Sequence, residues 1–240
     1  MPRVHFDPFV IEREFHEYEL ADRIPVSYEN ARQSFIRRGI DAGRVMKIPL
    51  GVDILTLSVP TEERRPGAVV SVGTVGLRKG HDHLIKSFRM LSARNASLTP
   101  VGAVTPWWDE RLRLDQSGVR ATGPVSLKRV IEELRQASVF VLLSAVEGLA
   151  LVIAQAMAQS QPVNATEARG YIAALVERIA VPGPRTLKLS AKRGVSLLSD
   201  SDRAQAMSVA AHRKVESFGE WDRYGRQAVA AVREGRSAPA

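Results

Sequence analysis

Cysteine is absent from the 240 residues, which excludes a disulfide framework, a thiolate zinc site and a cysteine nucleophile. A cytoplasmic location fits that absence. No apolar run is long enough to cross a bilayer; the longest, such as Ala137–Ala145, fall far short of it. The opening stretch, MPRVHFDPFVIEREFHEYE, carries acids early and lacks the apolar core of a signal peptide, so a soluble protein is expected. The histidines His5, His16, His81, His83 and His212 are scattered, and only His81/His83 stand close together. No metal site is expected from them, and no Ser-His-Asp arrangement is visible. Internal repeats and low-complexity segments are lacking too.

What is present is ordinary globular composition, 45% apolar and 25% charged, enough to build a core. The length is somewhat large for one average domain and small for two full ones. Lys and Arg number 34 against 26 Asp and Glu, a net charge of +8. The excess is uneven: from Arg178 onward there are 12 basic and 6 acidic residues. A solvated helical face is the simplest account. A surface for anionic lipid or a polyanionic substrate is the second. Nucleic acid comes third, because neither aromatic-basic interleaving nor a helix-turn-helix pattern accompanies the charge, and no nucleic-acid partner is expected.

From about residue 67 to 180, short apolar runs alternate with helical periodicity. Ala68–Val72 predicts a strand ending at Gly73, and Asp82–Ala93 a helix with Leu84, Ile85, Phe88 and Leu91 on one face. Strand Leu98–Val101 follows, then a weak helix over Trp107–Gln116 and a strand Val119–Thr122 before Gly123. Leu127–Gln136 reads as a helix, and Val139–Leu143 as the most hydrophobic strand, suited to the centre of a parallel sheet. Helix Leu151–Gln159 and strand Pro162–Ala165 close the series. The alternation predicts an α/β fold, a Rossmann-like parallel sheet with helices on both faces, and places ligands at the carboxyl ends of the strands. Gly73, Gly102, Gly123 and Gly148 fall at those ends, where tight turns also favour glycine. The C-terminal helices cover Ser201–Phe218, with Ala204, Met207, Ala211 and Val215 on one face, and Trp221–Arg233, with a stripe of Tyr224, Ala228 and Val232. Near the N-terminus, Glu12–Leu20 and Glu29–Arg38 read as helices, Arg23–Ser27 as extended and Val45–Pro49 as a short strand, too little for a second core.

Several segments resemble, in order, retaining glycosyltransferase family 4, whose members use two facing Rossmann-like domains, the GT-B architecture. ADRIPVS at residues 21–27 is similar to the last strand of the N-terminal domain, and RVMKIPLGVD at 44–53 to the interdomain crossing. VVSVGTVGLRKG at 69–80 resembles the phosphate loop, and VRATGPV at 119–125 the strand and turn near the nucleobase. Residues 147–163, EGLALVIAQAMAQSQPV, resemble the loop, helix and strand that hold the family's paired glutamates. ESFGEWDRYG at 216–225 resembles the start of the terminal helices. The resemblance implies three parts: residues 1–50 as the remnant of an acceptor domain, 51–218 as the nucleotide-sugar-binding domain, and 219–240 as a helix packing back towards the N-terminal segment.

The resemblance also implies chemistry. A nucleotide-diphosphate sugar needs cations and free N–H groups at its diphosphate. Lys79 is the first candidate cation, with Arg78 beside it. The helix after Gly148 offers the amides of Leu149, Ala150 and Leu151 at its positive end. Glu147 is the candidate catalytic residue, accepting from sugar hydroxyls; on a plainer view it stabilises the helix that follows. Gly73, Thr74, Gly123, Val125 and Gln155 complete the expected donor contacts. Reaction with retention is expected to use positioning and leaving-group stabilisation, with no cofactor and no covalent nucleophile. Three positions depart from the family pattern. Gln155 replaces the second glutamate, and an amide has one acceptor oxygen where a carboxylate has two. Thr74 stands where a basic residue is common, and Ala150 where glycine is. The expected partners are the donor, a glycan, lipid or small acceptor, a complementary N-terminal domain or subunit, and peripherally the inner face of a membrane. The alternative is an inactive nucleotide-sugar-binding or regulatory subunit.

Overall fold

The computed structural model describes residues 7–53, 63–90, 95–105, 108–112, 114, 118–144, 150–165, 193–216 and 220–236. The chain divides into two compact units, one of residues 1–49 with 222–240 and one of residues 50–221.

The first unit is a small strand–helix–strand motif preceded by a helix. Helix α1 (Pro8–Leu20) starts where Asp7 accepts the Phe9 N–H at 3.0 Å and Pro8 supplies a preset φ. Strands β1 (Ile24–Val26) and β2 (Val45–Lys47) pair in parallel, joined by α2 (Glu29–Arg37). Their core is the buried trio Ile24, Val26 and Val45, with Tyr18 and Phe35 edge-on to each other at 4.9 Å. The Arg44 guanidinium ends α1: it donates to the carbonyls of Tyr18 at 2.8 Å, Glu19 at 2.9 Å and Ala21 at 3.1 Å. Most of the last helix, α8 (Trp221–Arg236), belongs to this unit, and it buries Ala231 while Val232 is exposed. The expected stripe ending at Val232 is therefore displaced by one residue, to the face with Tyr224, Gln227 and Ala228 half-buried.

The second unit holds the larger core. Strands β3 (Arg65–Val72), β4 (Ser97–Val101), β5 (Ala137–Leu142) and β6 (Val163–Ala165) form a parallel sheet in the order β4-β3-β5-β6. Helices α3 (His81–Met90), α4 (Trp108–Leu112), α5 (Leu127–Gln136), α6 (Leu151–Ala158) and α7 (Ser201–Glu216) flank it. Residues 139–143 are buried without exception, as a strand covered on both faces must be. Val69, Val139, Val141 and Leu143 face the cluster that includes Leu84, Ile85 and Phe88 of α3. Helix α7 packs on α6 and β6 and buries Met207, Ala211 and Val215, with Ala204 half-buried at the margin.

The expected strand Val119–Thr122 is replaced by a looser arrangement. These residues run beside β4 through Leu98 N–H to Gly118 O at 2.8 Å, Arg120 N–H to Leu98 O at 3.0 Å and Thr122 N–H to Pro100 O at 3.0 Å. The next bond of a regular ladder would come from the N–H of residue 100, and proline has none. Only isolated bridges at Leu98–Val119 and Gly102–Gly123 form.

Candidate functional site

The sheet order reverses at β3: the chain passes first to β4 on one side, then to β5 on the other. Connections leaving the carboxyl ends of such a pair diverge and leave a crevice, the usual ligand position in an open parallel sheet. Three segments meet there.

The first is the loop 73–80 between β3 and α3. It leaves the strand at Gly73, whose N–H donates to Val101 O at 2.9 Å. Val75 is fully buried, its N–H bonded to Ala103 O at 2.8 Å and its carbonyl accepting both the N–H and the hydroxyl of Thr105, at 3.1 and 2.8 Å. A short 3-10 turn, Leu77–Lys79, then leads to Gly80 at φ 68°. Thr74 and Arg78 are exposed. Lys79 is half-buried because its stem lies across Gly73: a Cβ on that glycine would be 3.1 Å from Lys79 Cε and 3.6 Å from Cδ. Two of the expected donor-binding residues, Gly73 and Lys79, are thus in contact.

The second segment is the end of β5. A Cβ on Gly80 would overlap the Leu143 carbonyl oxygen and stand 2.8 Å from Leu143 Cβ, so the loop 73–80 rests directly on the strand that leads to Glu147. Glu147, Gly148 and Leu149 lie outside the described residues. Ala150, buried, is the N-cap residue of α6 and, being alanine, offers no side-chain oxygen to the helix. Its first amides therefore have no capping oxygen from the chain at the N-cap position.

The third is the turn at Gly123, φ 70°, which bridges to Gly102 and leads through half-buried Val125 to Ser126. Ser126 caps α5 by accepting the Arg129 N–H at 3.3 Å. A pocket of ≈ 300 Å³ lies beside α5 and α6, lined by Leu127, Ile131, Leu151, Gln155, Trp221 and residues 51–53. Leu151 and Gln155, one helical turn apart on α6, share it. Gly51 is needed here, since a Cβ on it would stand 2.6 Å from the Glu220 carbonyl carbon.

One residue of the site escaped the sequence reading, which grouped His81 with the scattered histidines. Its ring is fully buried at the start of α3. Nδ1 accepts the Gly76 N–H at 3.4 Å, and Nε2 faces Ser71 Oγ of β3 at 3.3 Å. Because an amide N–H can only donate, Nδ1 is the unprotonated nitrogen and Nε2–H donates to the hydroxyl. Burial pushes the imidazole down to about 4, and the nearby Lys79 charge acts in the same direction. The available signal was position: Leu84 and Ile85 follow three and four residues later, on the same buried face. Among the described residues, no group of three His, Cys, Asp or Glu could hold a metal ion, and no helix is long and apolar enough to cross a membrane.

Comparison with known proteins agrees with this layout. Sucrose-phosphate synthase from Thermosynechococcus elongatus superposes with a TM-score of 0.82 at 21% identity, covering 100% of this chain and 64% of the synthase. HepE of Anabaena, solved with UDP and glucose, gives 0.80 at 16% identity over 96% of this chain and 68% of its own. The pneumococcal O-GlcNAc transferase GtfA, solved with UDP and GlcNAc, gives 0.72 at 14% over 95% of this chain and 48% of its own. The chain thus spans between about half and two thirds of the length of these proteins. No curated protein sequence matches it. Residues 66–200, more than half of the chain and the stretch that contains the strand-end loops, match the family described as glycosyl transferases group 1, and the chain belongs to that family.

Proposed function

We propose that residues 50–221 bind a nucleotide-diphosphate sugar and that the chain transfers its hexose, with retention, to a glycan, lipid or small acceptor. The observation that carries this reading is the loop 73–80, which holds Lys79 across Gly73 at the end of β3 and abuts Leu143 at the end of β5. A diphosphate laid over those strand ends meets a lysine and the positive end of α6. Lys79 then stabilises the leaving diphosphate, Arg78 adds charge from the 3-10 turn, and the amides of Leu149, Ala150 and Leu151 donate to phosphate oxygens. Glu147 accepts from sugar hydroxyls, Gln155 contacts the ribose, and Gly123 and Val125 lie near the base. Retention follows from front-face attack, in which the donor diphosphate assists proton transfer and the enzyme contributes positioning and charge stabilisation. No protein-bound cofactor takes part. Residues 1–50 correspond to the end of an acceptor domain, and a complementary N-terminal domain or subunit completes the acceptor site. Because HepE and GtfA were solved with UDP, UDP-glucose and UDP-GlcNAc are the first donors to test.

Calorimetry with UDP, GDP and their sugars on the purified chain, followed by a transfer assay with the complementary domain, tests the reading. Binding followed by hydrolysis or transfer is expected. Absence of turnover across common donors in the reconstituted system would sink it. A second reading, a non-catalytic nucleotide-sugar-binding subunit, is favoured by Gln155 in the α6 wall of the pocket and by Thr74 where a basic residue is usual. Binding without turnover is its outcome. On either reading, Gln155→Glu restores a charged acceptor worth about 1–3 kcal/mol and tightens donor binding by about 5- to 150-fold.

A further inference from the structure

Buried histidines inside a hydrogen-bond network fix backbone when each nitrogen has one role. His81 meets that condition. Its ring joins three elements: Ser71, fully buried on β3; Gly76, midway along the loop 73–80; and the first turn of α3, to which His81 itself belongs. It also meets Gly76 a second time, its own N–H donating to the Gly76 carbonyl at 3.4 Å. From the opposite side Ala103 and Thr105 hold Val75, and a Cβ on Gly76 would stand 2.9 Å from Thr105 Oγ1. The loop is therefore gripped on both sides of its backbone. The inner grip comes from one side chain.

We propose that His81 is a positioning residue for the diphosphate: as a neutral ring that accepts from Gly76 and donates to Ser71, it fixes the loop 73–80 in the form that lays Lys79 across Gly73. The proposal rests on the donor-binding reading of the same site. The ring does not touch the ligand; it acts through Gly76 and the turn that carries Arg78 and Lys79. Only the neutral tautomer serves, since a protonated ring would set a second donor against the Gly76 N–H. The charged neighbours that act on the ring are Lys79, which opposes protonation, and Asp82, which favours it.

The consequence is selective. Loss of the strut weakens contacts to the second phosphate and leaves the base and ribose contacts, which lie in the turn at Gly123 and on α6, as they were. The test compares dissociation constants of UDP and UMP (and of the GDP/GMP and ADP/AMP pairs) for the full chain, wild type against His81→Phe and His81→Asn, with thermal melting as the check on folding. Phenylalanine fills the space and makes neither bond; asparagine keeps an acceptor near the Nδ1 position. For wild type the diphosphate binds at least ten-fold more tightly than the monophosphate. In His81→Phe that ratio falls towards one while monophosphate binding stays within two-fold, and His81→Asn recovers part of it. An unchanged ratio in a folded His81→Phe, or equal losses for both nucleotides, overturns the proposal. If His81→Phe does not fold, His81→Asn and Ser71→Ala decide by the same ratio: a partial fall in either supports the strut, and wild-type ratios in both overturn it. If wild type binds none of the nucleotides, the donor-binding reading itself falls, and the proposal with it.

Discussion

Replacing Gly80 by alanine adds one methyl group at a place where the structure leaves no room for it. Gly80 has φ 68°, a conformation that costs an L-residue about 1–2 kcal/mol. The new Cβ would also overlap the Leu143 carbonyl oxygen and lie 2.8 Å from Leu143 Cβ, so α3 and the end of β5 must separate. Overpacking of that kind costs about 1–3 kcal/mol more. The two contributions together reach roughly 2–5 kcal/mol, a large part of the 5–15 kcal/mol typical of a folded protein. For a unit of this size the melting temperature should fall by roughly 5–20 °C. Gly123→Ala is the matched control: its φ is 70°, yet a Cβ there meets nothing within 4 Å. It should carry the conformational cost alone, about 1–2 kcal/mol. Urea and thermal denaturation followed by circular dichroism measure both variants, and the difference between them isolates the overlap. Equal losses in the two variants would refute the close approach of loop and strand.

Two further predictions concern stability. Burial pushes the folded His81 imidazole down to about 4 from the ordinary value of about 6.5, so below pH 6.5 the unfolded chain takes up a proton that the native chain refuses. Stability therefore falls as the pH drops from 6.5 to 4, by about 3 kcal/mol from this residue, with no contribution above 6.5. Urea midpoints measured across that range should show a shallower decline for His81→Phe than for wild type. In the first unit, Arg44→Ala removes a guanidinium that holds three carbonyls at the end of α1, a helix with no buried residue of its own. The loss should be about 1.5–3 kcal/mol, seen as faster amide exchange in α1, and Arg44→Lys should recover little, because an ammonium cannot span the same fork.

Much of this fold could be read from periodicity. Helix α5 runs over Leu127–Gln136 as the apolar spacing requires, and β5 is buried on both faces as its unbroken run of Val, Phe and Leu implies. The reading failed where a long-range partner decided the outcome. Val119–Thr122 has strand composition, but its neighbour across the ladder is Pro100, and pairing is a property of two segments. The face of α8 was misplaced because Val232 is the more hydrophobic residue while Ala231 is the one with a partner surface. At the candidate site, Lys79 and Gly73 were named from the resemblance of residues 69–80 to the phosphate loop, and the structure brings the two into contact. His81 was not legible, because its role depends on Ser71 ten residues earlier and on an amide donor that composition does not reveal.

The ends of β3 and β4 close on one another with no side chain between them: a Cβ on Gly102 would stand 2.6 Å from the Gly73 carbonyl oxygen. That layer of the crevice is therefore made of peptide groups, whose dipoles are the same whatever residues surround them. Drift at Thr74 or Gln155 alters side-chain charge above the layer and leaves the layer intact. Side-chain contacts above the crevice can change one at a time. The peptide layer beneath them changes only with a substitution at a glycine, which the fold itself resists.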